Sequence, residues 1–196
     1  MVTRLRYGNT NTFFVRGKSG NVLIDTDYAG MLPIFYKEMK QNQIAMKDIT
    51  YFLATHYHPD HIGLASELMK QGVLLLLMES QVGMTHFSDE IFARQPRLQY
   101  EPIAEEKAKI LRFAESRDFL RSLGIEGEII STPSHSADSI SVVLDEGVAI
   151  VGDLEPISFL NAYEENLKLK QDWESIRQYH PKVVYYAHAN ENYFDE

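Results

Sequence analysis

The chain has 196 residues, of which 44% are hydrophobic and 24% charged, so residues 1–196 are expected to form one globular domain. It contains no cysteine, which excludes disulfides, thiolate nucleophiles and cysteine-type zinc sites. Its formal net charge of -9 argues against sequence-independent binding to nucleic acid, and no apolar run reaches the roughly 20 residues of a membrane-spanning helix.

The first 78 residues predict a hairpin, a helix, a strand, a second helix and a second strand. Aromatic and β-branched residues at 11–17 and 21–26 flank a Lys18-Ser19-Gly20 turn, which is the pattern of a β-hairpin. Helical spacing and β-rich runs predict the four elements that follow, at residues 32–43, 49–55, 62–70 and 73–78.

The later half of the chain repeats this plan. The same patterns predict a second hairpin, a helix and a final strand, at residues 139–144 with 148–152, 163–179 and 182–187. Each hairpin ends in an aspartate, Asp25 in the first and Asp153 in the second. This weak symmetry predicts two similar β-rich halves that pack sheet on sheet, with helices outside.

Residues 79–123 interrupt the plan and are interpreted as a helical insertion near the mouth of the site. Charged, amphipathic patterns at 87–95 and 105–123 predict helices and no additional strand. Arg94 and Arg97 are candidate substrate-binding residues, because fixed positive charge beside apolar residues suits a lid over a site. The alternative is that these helices pack on the body or against a second copy of the chain in a homodimer.

One short segment, residues 55–61 (THYHPDH), contains four candidate metal ligands. Alternation along an extended backbone places His56 and His58 on the same side, and a proline then ends the strand. Asp60 and His61 follow at the start of a helix, where they can face a second ion. Without a cation, packing so many ionisable groups beside an apolar strand would cost several kcal/mol in desolvation and repulsion.

Three further candidate ligands occur singly, each where a predicted strand enters a loop. They are His135, Asp153 and His188. At such positions a rigid scaffold can direct a side chain into a shared cleft. Asp25 is interpreted differently, as a carboxylate that fixes the loop under the site rather than as a ligand.

The pattern His-x-His-x-Asp-His, a distant Thr-Pro-x-His-Ser, Gly-Asp after a hairpin and a final strand ending in His resembles the metallo-β-lactamase superfamily. This resemblance covers nearly the whole chain. It implies an α+β fold, the metallo-β-lactamase-like αβ/βα four-layer sandwich. It also implies two sets of metal ligands and one bridging carboxylate: His56, His58 and His135; Asp60, His61 and His188; and Asp153 between them.

The resemblance implies a metal-dependent hydrolase with two divalent ions, for which zinc is favoured over iron or manganese. A metal-bound hydroxide would cleave an ester-like bond, and Asp60 would act as a catalytic residue that accepts or returns a proton. Asp153 stands where the zinc β-lactamases have a cysteine, so the thioesterase, lactonase and phosphodiesterase branches match better. The alternative is an iron-dependent oxidoreductase of the same fold, similar to a persulfide dioxygenase.

A small-molecule substrate is therefore the expected partner, and neither nucleic acid nor a membrane is expected. The first residues of the chain lack the apolar run of a secretory signal, and a cytoplasmic location is the corresponding expectation.

Overall fold

The computed structural model describes residues 1–161 and 166–194, which contain two mixed β-sheets. The first sheet has six strands in the order β1 to β6: Val2–Arg6, Asn11–Val15, Val22–Ile24, Tyr51–Leu53, Leu74–Met78 and Lys109–Leu111. The second has the order β11-β10-β9-β8-β7, and β7 to β11 are Gly127–Ser131, Ile140–Leu144, Val148–Ile150, Val183–Tyr185 and Asn192–Tyr193. The α-helices α1 to α6 are Leu32–Gln41, Pro59–Ile62, Ala65–Lys70, Asp89–Ala93, Ser116–Ser122 and Leu167–Arg177.

The two sheets pack face to face, and helices cover their outer faces. Phe13 and Phe14 on β2 show why both faces of the first sheet are apolar. Phe13 packs between the sheets with Ile129 of β7, whereas Phe14 faces outward into the core that contains Phe35 of α1. On the far side, Trp173 of α6 packs against the second sheet. The arrangement is the αβ/βα four-layer sandwich that the sequence predicted, so the fold prediction is confirmed.

The predicted hairpins and the strands that lead to the site are present. β2 and β3 are antiparallel with Phe13 opposite Ile24, and β8 and β9 form the second hairpin. The helix predicted at 62–70 is interrupted at Gly63 and divides into α2 and α3. The helix predicted at 163–179 is α6, and residues 163–165 of that prediction lie outside the described residues.

The prediction that residues 79–123 add no strand is wrong. Residues 109–111 form β6, which pairs in parallel with β5 and completes the first sheet. Only Leu111 of these three residues is buried, so the strand has no apolar alternation and owes its conformation to pairing with β5. The rest of the predicted 105–123 helix consists of short 3-10 turns and the seven-residue helix α5.

β1 and β11 were also absent from the predicted elements, and β7, the strand before the loop of His135, was predicted without bounds. All three lie at sheet edges. None of the described helices is long and apolar enough to cross a membrane.

Candidate metal centre

The first histidine cluster, residues 56–61, follows shortly after β4 and lies at the carboxyl end of that strand in the first sheet. His56 is wholly buried, and His58 has an extended backbone and precedes the first residue of α2. Pro59 begins that helix, where its missing N–H has no consequence because the first helical N–H groups have no intrahelical partner. The turn of α2 then presents Asp60 and His61 toward the same side.

The second sheet supplies the other three side chains. His135 lies in the loop between β7 and β8, and Asp153 and His188 follow β9 and β10. Because β9 and β10 are parallel neighbours, their carboxyl ends bring Asp153 and His188 to the same edge. Gly152, which precedes Asp153, has φ +58 and lies so close to Thr55 that a Cβ would meet its Oγ1 at 2.4 Å. Only glycine therefore allows the two sheets to approach this closely beside the site.

All seven predicted ligands come together at this edge and form two groups. Within each group, the candidate ligand atoms lie within 4.8 Å of one another. The first ligand group is His56, His58, His135 and Asp153, and the second ligand group is Asp60, His61 and His188. Either group could hold a metal ion.

Asp153 belongs to the first group, and its carboxylate oxygen Oδ1 faces the second group. Its Oδ1 lies 3.3 Å from His61 Nε2 and 3.3 Å from His188 Nε2. Its Oδ2 lies 3.8 Å from His56 Nε2 and 3.7 Å from His135 Nε2. This carboxylate therefore faces both groups of candidate ligands at once.

The nitrogen and oxygen atoms of the two groups form a set that suits divalent metal ions. The Nε2 of His56 and the Nδ1 of His58 are 2.9 Å apart, a hydrogen-bond distance at which one nitrogen carries the proton and the other accepts it. The buried atoms His61 Nε2 and Asp153 Oδ1 have no aligned hydrogen-bond partner among the described residues. Leaving buried polar atoms unpaired is costly, and imidazole nitrogens with carboxylates are a donor set that suits zinc and similar divalent ions.

The two wholly buried histidines of the centre have opposite pKa shifts. Burial and the neighbouring His61 hold the pKa of His56 far below its ordinary value. Burial also acts to lower the pKa of His61, but Asp25 and Asp153 outweigh it and raise that pKa to about 10. The two carboxylates therefore favour the protonated form of His61 at neutral pH.

Both carboxylates of the centre are ionised at neutral pH. The hydrogen bond with His188 lowers the pKa of Asp60 to about 2. Burial opposes ionisation of Asp153, but the adjacent His61 lowers its pKa to about 2 as well. The same contact with Asp60 raises the pKa of His188.

Asp25 supports the centre from below, as the sequence suggested. It is wholly buried and accepts hydrogen bonds from the Thr55 N–H at 2.6 Å and the Thr55 hydroxyl at 2.8 Å. Its Oδ2 also lies 3.0 Å from Nδ1 of His61. A carboxylate that orients the far nitrogen of a ligand imidazole leaves Nε2 free for the metal.

Arg94 and Arg97 belong to neither ligand group. Both are exposed, Arg94 just after α4 and Arg97 in the 3-10 turn that follows, and Arg94 pairs with Glu90 only at 4.0 Å. The insertion contacts the first ligand group through Phe87, whose ring centroid lies 5.5 Å from that of His58.

Asp138, a buried carboxylate three residues after His135, is a further residue of the site that the sequence did not identify. It accepts hydrogen bonds from the Tyr57 N–H at 2.8 Å and the Ser136 hydroxyl at 2.7 Å. Asp138 thus ties the loop of His135 to the first histidine cluster. Its position beside the Thr-Pro-x-His-Ser motif was the available signal.

Comparisons with known proteins agree with this geometry. A family model described as the metallo-beta-lactamase superfamily matches residues 5–188. A probable metallo-hydrolase, MJ0888 of Methanocaldococcus jannaschii, is 29% identical over 157 residues, which are 78% of this chain and 71% of that protein. A candidate diflavin flavoprotein of Synechocystis is 26% identical over 149 residues, but the match spans 75% of this chain and 23% of the flavoprotein.

Solved structures share the fold. A metallo-beta-lactamase family protein of Thermus thermophilus, TTHA1429, superposes with a TM-score of 0.71 at 21% identity, covering 97% of this chain and 73% of that one. The metallo-beta-lactamase MIM-1 of Novosphingobium pentaromativorans has a TM-score of 0.67, also at 21% identity, and covers 94% and 76%. With the family match across residues 5–188, these findings show that the chain belongs to the metallo-beta-lactamase superfamily.

Proposed function

We propose that the protein is a metal-dependent hydrolase that holds two divalent ions, zinc in preference to iron or manganese, and cleaves an ester-like bond in a small molecule. Thioesters, lactones and phosphodiesters are the substrate classes. The observation that carries the proposal is Asp153, whose two oxygens face two separate groups of ligands.

Each group of side chains would hold one ion. His56, His58 and His135 would bind the first, Asp60, His61 and His188 the second, and Asp153 both. Bound in this way, two ions supply Lewis acidity that activates water and polarises the oxygen of the bond to be cleaved. The remaining requirements, orientation and proton transfer, fall to the chain itself.

Asp60 is the residue placed to move a proton. Its side chain is 37% exposed, so substrate and water can reach it, whereas Asp153 is 16% exposed. Its Oδ2 lies 3.1 Å from His188 Nε2, and this contact lowers the pKa of the carboxyl group to about 2, so Asp60 is ionised at neutral pH. An ionised and accessible carboxylate can accept a proton from the attacking water and return it to the leaving group.

The chemistry needs no nucleophilic side chain. The chain has no cysteine, and attack by water requires only the carboxylate and the ions. Thioester, lactone and phosphodiester cleavage share this requirement and differ in the leaving group.

A screen of lactones, thioesters, phosphodiesters and β-lactams against zinc-loaded protein tests the proposal. We expect turnover of at least one class, its loss on treatment with a chelator and its return when zinc is restored. Asp60→Asn is the matched control, because it keeps the shape of the side chain but removes its charge. Activity that survives in the chelated protein would contradict the proposal.

The alternative function is an iron-dependent oxidoreductase of the same fold, similar to a persulfide dioxygenase. The match to a candidate diflavin flavoprotein supports it only in so far as the relatives of this chain include proteins other than hydrolases. Metal analysis of protein purified without added metal separates the two. Bound zinc would support the hydrolase. Bound iron, together with turnover of a persulfide, would support the oxidoreductase instead.

A further inference from the structure

The peptide groups of Tyr57 set the directions of the two imidazoles on either side of it, His56 and His58. Both polar groups of its backbone are held by buried side chains. Its N–H donates to Asp138 Oδ2 at 2.8 Å, and its carbonyl accepts from the Ser88 hydroxyl at 2.8 Å. Asp138 belongs to the loop that carries the third histidine of the first ligand group, whereas Ser88 belongs to the insertion.

Ser88, Phe87 and Gln81 of the insertion contact the loops that carry the histidines of the first ligand group. Ser88 is wholly buried, and the ring of the preceding Phe87 packs near His58. Gln81, also wholly buried, donates from Nε2 to the carbonyls of Ala54 at 2.9 Å and Asp138 at 3.2 Å. The insertion therefore forms part of the frame of the metal centre.

The second ligand group has different supports. The Thr10 hydroxyl donates to the Asp60 carbonyl at 2.8 Å, and the Thr26 hydroxyl donates to the His61 carbonyl at 3.1 Å. Thr10 lies in the loop between β1 and β2, Thr26 lies in the loop after β3, and Asp25 contacts the His61 ring. A substitution in the insertion should therefore lower the affinity for the first ion more than the affinity for the second.

We propose that Ser88 is a positioning residue for the first ligand group, which it orients through the carbonyl of Tyr57. Removal of its hydroxyl would leave that buried carbonyl without its donor and let the segment between His56 and His58 rotate. The hydroxyl of Tyr57 offers no alternative anchor, since it has no hydrogen-bond partner among the described residues. The inference rests on the metal-binding part of the proposed function and is independent of the reaction catalysed.

Metal affinity of Ser88→Ala tests this role. Competition with a chromogenic chelator measures the affinity for each Zn²⁺ ion, and the visible absorption of Co²⁺-loaded protein reports the ligand geometry. We expect the affinity for one ion to fall by about 10-fold or more, as is typical when a group that orients a ligand is lost, with a changed Co²⁺ spectrum. The affinity for the other ion should stay at the wild-type value, and Ser88→Thr, which retains a hydroxyl, should restore the first.

Ser116→Ala is the matched control. Ser116 is also wholly buried, and its hydroxyl donates to the carbonyls of Phe113 at 2.8 Å and Ile129 at 3.2 Å, outside the metal centre. It reports the general cost of removing a buried serine hydroxyl. If Ser88→Ala does not fold, Asp138→Ala frees the N–H of the same Tyr57 residue and provides the same readout.

Equal Zn²⁺ affinities and equal Co²⁺ spectra for Ser88→Ala, Ser116→Ala and wild type would overturn the inference and leave the two-metal proposal intact. A wild-type protein that binds no metal would overturn both.

Discussion

Asp153 of the first ligand group also faces the second, yet the two groups differ in how they hold protons. Besides Asp153, the first group has three imidazoles, and the second has two imidazoles with Asp60. His56 and His61 are five residues apart and equally buried, but the pKa of His56 is lowered while that of His61 is raised to about 10. The difference arises because Asp25 and Asp153 lie 3.0 Å and 3.3 Å from the ring nitrogens of His61, whereas His56 faces other imidazoles. The placement of these carboxylates therefore accounts for the opposite pKa shifts of the two histidines.

Substitution of Asp153 should have the largest effect, because it would remove a ligand from both proposed metal sites. For Asp153→Ala we expect the affinity for each of the two ions to fall by about 100-fold or more. Competition titration with Zn²⁺ measures both affinities. Asp145→Ala is the control, because Asp145 is a surface carboxylate paired with Arg117 away from the centre. Loss of only one ion would show that Asp153 does not bridge the groups.

Substitution of Asp60 tests the group that would transfer a proton. Asp60→Asn should lower kcat by about two orders of magnitude on any substrate that the screen identifies, while the first ligand group keeps its ion. Steady-state kinetics with metal analysis of the same sample separates the two effects. Unchanged turnover would remove Asp60 from the catalytic role.

Proton release should distinguish the two groups in solution. The raised pKa of His61 means that an ion must displace its proton, so affinity at the second group should rise as pH increases toward 10. The lowered pKa of His56 means that this residue of the first group has no such proton to lose. Calorimetric titrations at about pH 7, in buffers of different ionisation enthalpy, should show about one more proton released by the second ion.

Asp25→Asn sharpens this test. The substitution removes the carboxylate beside His61 Nδ1, so less proton release should accompany the second ion. Equal release by both ions in the wild-type protein would contradict the contrast between the groups.

The smallest effects are expected in the insertion, away from either group. Arg94→Ala and Arg97→Ala should change KM or the order of substrate preference, with bound metal unchanged, if these cations contact a charged part of the substrate. Kinetics and gel filtration on both variants decide between the lid and the homodimer. A dimer that dissociates with unaltered substrate preference would end the lid hypothesis.

The sequence identified the candidate ligands that lie together in the structure, but it did not identify the residues that support them. Candidate ligands such as His56 and Asp153 are recognisable because metal binding would constrain their chemistry and spacing. The supporting contacts of Ser88 and Gln81 arise from long-range packing, and neither residue type is unusual at a helix start or in a loop.

Secondary-structure elements specified by local sequence were predicted, whereas those that depend on distant contacts were not. The hairpin of β2 and β3 has apolar runs and a turn that specify it locally, and it was predicted. β6 is three residues long with two exposed, so only its neighbour β5 identifies it as a strand. Gly63 also meets a tertiary constraint, because a Cβ there would meet the backbone of Tyr28 at 2.3 Å, so this close approach requires glycine.

The most direct test of the bridging account is a crystal structure of zinc-loaded protein with anomalous data at the zinc edge. Two anomalous peaks are expected on either side of Asp153, one among His56, His58 and His135 and the other beside His61, separated by roughly 3.5 to 4 Å. A single peak at full occupancy, or two peaks that Asp153 does not contact, would contradict the account.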